Sequence, residues 1–140
     1  MPLPPTCPCG GAAYASCCAP YLNGSAVAPS AEALMRSRYT AYTQGNEAYL
    51  RATWHRDTLP AEPIISDDAP NWLGLQIKDA LRLRKRQANL LESADTDTVE
   101  FVARYKIGGR AYRLHEISRF VRETQGGVAR WYYLDGHFPA

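Results

Sequence analysis

An α+β fold, with helices gathered on one face of a curved antiparallel sheet, follows from the order of patterns along these 140 residues. Helical spacing fills the stretch from Ser30 to His55, and the Pro-containing "LPAEPIISDDAP" closes it. Beyond it, Gly108-Gly109 and Gly126-Gly127 separate three runs rich in β-branched and aromatic residues, the pattern of a three-stranded hairpin meander. The third observation lies at the other end, where "CPCGGAAYASCC" holds all four cysteines within residues 7–18.

Composition sets the outer limits. With 46% hydrophobic and 21% charged residues the chain suits one soluble core of ordinary size. A net charge of +2 is far from the balance of a dedicated nucleic-acid binder, which must neutralise several phosphates. No run of eighteen apolar residues exists, and "MPLPPT" has neither a basic nor an apolar leader region, so no membrane span and a cytoplasmic location are expected. In that compartment thiols stay reduced, and clustered cysteines are more often metal ligands or redox groups than disulfides.

Residues 1–28, rich in Pro, Gly, Ala and Cys, read as a loop-built module with a tether ending near Pro29, and residues 29–140 as the main domain. Ser30 sits where an N-cap belongs, Glu32 is in the first turn, and Gly45 is a natural stop. Leu34, Met35, Ala41 and Tyr42 form one apolar stripe of this helix, with Arg38 in its middle; Arg36, Thr40 and Thr43 share a side expected to be solvated. Asn46 caps a second helix, "NEAYLRATWH", with Tyr49, Leu50, Thr53 and Trp54 on a common face. "WLGLQIKDALRLRKR" fits either period: Leu73, Leu75, Ile77, Leu81 and Leu83 alternate as in a strand, while Trp72, Leu75 and Asp79 would suit a helix. A strand is favoured, since the meander needs partners and Gly74 weakens a helix.

In "RAYRLHEISRF" the face carrying Tyr112, Leu114, Glu116, Ser118 and Phe120 is the more apolar and is assigned inward; Ala111, Arg113, His115, Ile117 and Arg119 face out. The last strand aligns Ala129, Trp131, Tyr133 and Asp135. A charge buried in the helix stripe needs a partner, and Glu116 is the natural one for Arg38. Arg38, Tyr42, Trp54, Glu116, Ser118, Trp131, Tyr133 and Asp135 are therefore the candidate lining of a small-molecule pocket. The plainer reading is an ion pair tying helix to sheet.

The arrangement C-x-C-x7-C-C can bring Cys7, Cys9, Cys17 and Cys18 around one tetrahedral zinc, given a sharp turn at Pro8 and Gly10-Gly11. Reactive thiols and disulfides compete with this reading. The first wants C-x-x-C at a helix start, and the second would have to join neighbours in sequence. "CPCG" followed by a Tyr and a terminal "CC" resembles the SEC-C zinc motif. The continuation "APSAEALMRSRYTAYTQGNEAYLRATWH", with "VEFVARY", "LHEISRFVRE" and "WYYLDG", is similar to the YchJ family over nearly the whole chain. The resemblance implies an N-terminal zinc module followed by a nuclear transport factor two-like domain of the cystatin-like cone class. SEC-C motifs usually place eight residues between the cysteine pairs, whereas this chain has seven.

The function expected first is a non-enzymatic docking protein whose zinc module contacts another protein, the role that SEC-C resemblance implies. A small-molecule binder or enzyme using the cone interior comes second, and RNA or ribosome association third. The basic run "RLRKRQ" at residues 82–87 would serve RNA, although charged edge strands also guard against aggregation. His115 is expected on the outer face, His55 at a helix end and His137 in solvent, none beside a nucleophile.

Overall fold

The computed structural model describes residues 6–11, 13–65, 70–78 and 95–138. After a 3-10 turn at Tyr14–Ser16 come helices α1 (Ala19–Leu22), α2 (Ala31–Gln44) and α3 (Glu47–Ala52). Strands β1 (Asn71–Ile77), β2 (Thr96–Ile107), β3 (Arg110–Gln125) and β4 (Val128–His137) then form one antiparallel sheet in chain order.

Local chemistry sets most of the element ends. Ser30 Oγ accepts the Ala33 N–H at 3.1 Å and starts α2, and Gly45 ends it with φ of 67°. Asn46 Oδ1 accepts the Tyr49 N–H at 3.1 Å and starts α3. Gly108-Gly109 and Gly126-Gly127 all have positive φ, the backbone that two-residue hairpin turns require. The second helix stops at Ala52, short of the expected His55, because the next residues pair with β4. The Tyr133 N–H donates to Thr53 O at 2.8 Å, and the His55 N–H donates to Tyr133 O at 2.7 Å.

Two bulges change which residues face inward. In β1 the register steps from Trp72↔Tyr105 to Gly74↔Arg104, which leaves Leu73 half exposed and puts Trp72, Leu75 and Ile77 against the core. The strand is present, but Leu73, expected to share a face with Leu75 and Ile77, does not, and Trp72 packs on the core with them; Leu81, Leu83 and the run 82–87 lie outside the described residues. In β4 the register steps from Phe120↔Tyr133 to Arg119↔Asp135, so Leu134 is the extra residue and Asp135 turns to the outer face.

The N-terminal segment packs against the main domain. Cys7, Cys9 and Cys18 are buried in the same cluster as Ala31, Leu34, Met35, Tyr39, Phe101 and Phe120. They cover the side of α2 expected to be in water. Thr40 is fully buried there, with its Oγ1 3.7 Å from Cys7 Sγ, and Arg36 donates to the Cys9 carbonyl at 3.0 Å as well as pairing with Glu32. Helix α2 is thus enclosed, with the thiol segment on one side and the sheet on the other.

Candidate metal centre and ligand pocket

The thiol cluster occupies the first side of α2. All four sulfurs lie within 4.8 Å of one another, with Cys9 and Cys17 at 3.6 Å and Cys17 and Cys18 at 4.0 Å, and no disulfide links them. Tetrahedral coordination with bonds of about 2.3 Å would separate the sulfurs by roughly 3.8 Å. The four sulfurs are thus spaced to share one ion.

Short-range bonds assemble this site. The Gly10 N–H donates to Cys7 O at 3.0 Å in a tight turn, at a φ of 87° that favours glycine. The 3-10 turn, closed by the Cys17 N–H on Tyr14 O at 3.1 Å, delivers Cys17, and Cys18 O accepts the Leu22 N–H of α1. The hydrogen bond from Cys18 is the largest influence on Cys9, whose thiol is pushed down to about 4 against the effect of burial. Burial pushes the Cys17 thiol up to about 11, and the hydrogen bond with Cys9 raises Cys18. One thiolate held by neighbouring thiols, in a site sheltered from water, is a donor set suited to a soft cation.

Gly11 explains how the seven-residue loop closes. A Cβ there would stand 2.7 Å from Cys17 Sγ and 3.4 Å from Cys9 Sγ, so any side chain displaces a sulfur of the cluster. Gly11→Ala is expected to weaken metal retention about tenfold or more, a loss of about 1.4 kcal/mol or greater. Competition with a chromogenic chelator, compared with the parent protein, measures it.

The other side of α2 faces a cavity of about 200 Å³. Six of the eight expected residues line it: Arg38, Tyr42, Trp54, Glu116, Ser118 and Tyr133. Arg38, only 3% exposed, does not pair directly with Glu116 as expected. Its Nη1 donates to Leu50 O at 2.8 Å and Thr53 Oγ1 at 2.7 Å, while the guanidinium lies 4.7 Å from the Tyr133 ring and 5.2 Å from the Trp54 ring. The C-terminal end of α3 supplies its acceptors and aromatic faces stabilise its charge, so no carboxylate contact is needed. Burial lowers its pKa, yet a guanidinium remains protonated at any ordinary pH.

Glu116 is held separately. Its Oε1 accepts the Ser118 hydroxyl at 2.8 Å and the Tyr133 phenol at 3.0 Å. Burial, and then the Glu116 charge, push the Tyr133 phenol up, so it stays a donor; burial raises Tyr42 as well. Gly136, opposite Ser118 on β4, has no side chain where the Glu116 carboxylate lies, and a Cβ there would collide with it. Gly136→Ala is expected to expel Glu116 from its bonds and destabilise the fold by about 1–3 kcal/mol. Urea unfolding would measure the loss, and Glu116→Ala should relieve most of it.

Two expected lining residues lie elsewhere. Asp135 pairs across the outer face with Arg119 at 2.6 Å, because the bulge at Leu134 reverses its side. Trp131 is buried but borders a second cavity of about 140 Å³ with Leu34 and Tyr49, beneath the Arg122 guanidinium at 5.3 Å. Conversely, Tyr39 and Trp72 line the pocket unforeseen. Tyr39 lies four residues after Met35 and was legible by helical spacing, whereas Trp72 depends on the β1 bulge.

The histidines lie outside this pocket. His55 is buried with Nε2 2.7 Å from Glu123 and Nδ1 accepting the Asp57 N–H, an arrangement that clamps the end of α3 to β3. His115 meets Glu100 at 2.7 Å on the outer face, and His137 is exposed.

Residues 30–136, from the N-cap of α2 to the last but one residue of β4, match the family described as "YchJ, middle NTF2-like domain". The chain belongs to the YchJ family. YchJ relatives named UPF0225 protein include one from Cupriavidus metallidurans, 50% identical over 135 residues that cover 95% of this chain and 89% of the relative. Another, from Ralstonia nicotianae, is 51% identical over 146 residues covering 97% and 95%. Among solved structures, a SEC-C motif containing protein from Rhodopseudomonas palustris superposes with a TM-score of 0.74 at 30% identity, covering 97% of this chain and all of that one. A sec-c motif containing protein from Psychrobacter arcticus gives 0.67 at 28% identity, covering 96% and 83%. The YchJ fold is thus an α+β NTF2-like domain with an N-terminal cysteine cluster. Among the described residues no helix is long and apolar enough to cross a membrane.

Proposed function

We propose that this YchJ protein binds a small molecule inside its cone, and that zinc held by Cys7, Cys9, Cys17 and Cys18 braces the helix that forms one wall. The observation carrying this reading is the cavity of about 200 Å³ that brings a buried arginine and a wedged carboxylate together among aromatic side chains. Concave, mostly apolar sites with a few fixed polar groups are where small ligands bind. A closed set of four cysteines fits zinc in a structural role and leaves no position for a substrate, so the metal supplies rigidity and no chemistry. Docking of a protein on the zinc module has less support, because three of its four thiols face α2 and its loop carbonyl is engaged by Arg36.

Two measurements test the reading. Elemental analysis of the purified protein should give one zinc per chain with four thiols protected from alkylation. A thermal-shift screen should find compounds that stabilise the parent protein and lose that effect in Glu116→Gln, a variant expected to remain folded. A diverse library yielding no saturable shift would overturn the pocket reading, and a partner captured only when residues 1–28 are present would favour docking.

A further inference from the structure

Arg38, Glu116 and the aromatic walls also specify what kind of molecule fits, an inference that rests on the pocket reading above. The structure assigns to the cavity an uncharged, aromatic ligand carrying an O–H or N–H that donates to Glu116 Oε2.

Charge comes first. Arg38 and Glu116 are the two ionised side chains of the lining and offset one another. A cationic ligand would seek aromatic faces, but the Arg38 guanidinium already lies against those of Tyr133 and Trp54, at 4.7 and 5.2 Å. It would meet a like charge there. An anionic ligand meets Glu116, whose carboxylate is held by two donors and confined beside Gly136.

Hydrogen bonding narrows the class further. Both internal donors, Ser118 and Tyr133, go to Oε1, and among the described residues Oε2 has no partner. The described side-chain polar atom that is both partnerless and closed off is Trp131 Nε1, so Oε2 faces open space. A carboxylate oxygen in a largely apolar cavity gains most from a donor, and a ligand lacking one displaces water at a cost. Tyr39, Tyr42 and Trp72 also line the cavity, with ring separations of 5.6 and 5.8 Å, and add aromatic surface that suits an aromatic ring on the ligand. A volume of about 200 Å³ is below that of drug-sized sites, so roughly ten heavy atoms is the appropriate scale.

Calorimetric titration of the metal-loaded full chain with four probes of one scaffold tests this. Indole supplies an uncharged N–H, 1-methylindole lacks it, tryptamine adds a cation, and indole-3-carboxylate adds an anion. Indole should bind at least tenfold tighter than each of the others, and Glu116→Gln should bring the ratio of indole to 1-methylindole toward one. Equal binding of all four, or preference for a charged probe, overturns the inference and leaves the pocket reading standing. Failure of indole to bind, when the library screen has yielded hits, also overturns it; an empty screen removes both.

Discussion

Cys9→Ser, or stripping the metal with a chelator, should lower the melting temperature of the whole domain by about 10 °C or more. Cys9 has no exposed surface, Cys7 and Cys18 have almost none, and all three belong to the cluster that includes Leu34, Tyr39, Phe101 and Phe120. Small zinc peptides gain about 10–16 kcal/mol from the ion, and a chain with its own core depends on it for only part of that. A loss of about 3 kcal/mol corresponds to a shift of this size in a domain of this length. Because the sulfurs pack on α2, one cooperative transition should move, and hydrogen exchange in residues 31–44 should accelerate with it. An appendage would behave differently, with unchanged exchange in α2 and a separate early loss confined to residues 6–28. Circular dichroism melting with and without chelator, read beside exchange, distinguishes the two.

Arg38→Met should cost about 2–4 kcal/mol, a large fraction of the stability of an ordinary domain. Methionine keeps much of the apolar volume but loses the bonds to Leu50 O and Thr53 Oγ1 and the two aromatic contacts. The Leu50 carbonyl then keeps only a 3.4 Å contact from the Thr53 hydroxyl at the end of α3. Arg38→Lys should recover little, because a single ammonium lacks the planar group that packs against both the Trp54 and the Tyr133 ring. Urea denaturation of both variants measures the effect, with Arg119→Ala as the contrast. The Arg119–Asp135 bond is shorter, at 2.6 Å, but stands in solvent, and its removal should leave the midpoint almost unchanged. A small loss for Arg38→Met would mean that the cavity, not the guanidinium, organises the helix-to-sheet contact.

The two halves of the chain differ in how far their sequence could be read. In α2 and the hairpins the decisive groups are neighbours in the chain. Ser30, Gly45, Asn46 and the two Gly-Gly pairs each act on backbone within a few residues of themselves. Strand alternation likewise placed Glu116 and Ser118 on the inner face, since no bulge falls between Arg110 and Ser118 in the pairing with β2. The same rule failed for Leu73, which is the extra residue of the β1 bulge beside Gly74, and for Asp135, which follows the extra residue Leu134 and is thereby turned to the other face. Arg38 was legible as a charge in an apolar stripe. Its partners were not, since Leu50 O and the Tyr133 ring are supplied by two different elements.

Chain-local chemistry was therefore enough for the α+β order, the helix ends, the turns and the grouping of four thiols, all of which depend on spacings of a few residues. Long-range packing settled the rest: the thiol segment lies on α2, Trp72 enters the pocket, and Asp135 leaves it. The reason is physical. The side of α2 bearing Arg36 and Thr40 is polar enough to face water, and only the arrival of the buried cysteines, with their own hydrogen bonds to it, makes it an interior surface.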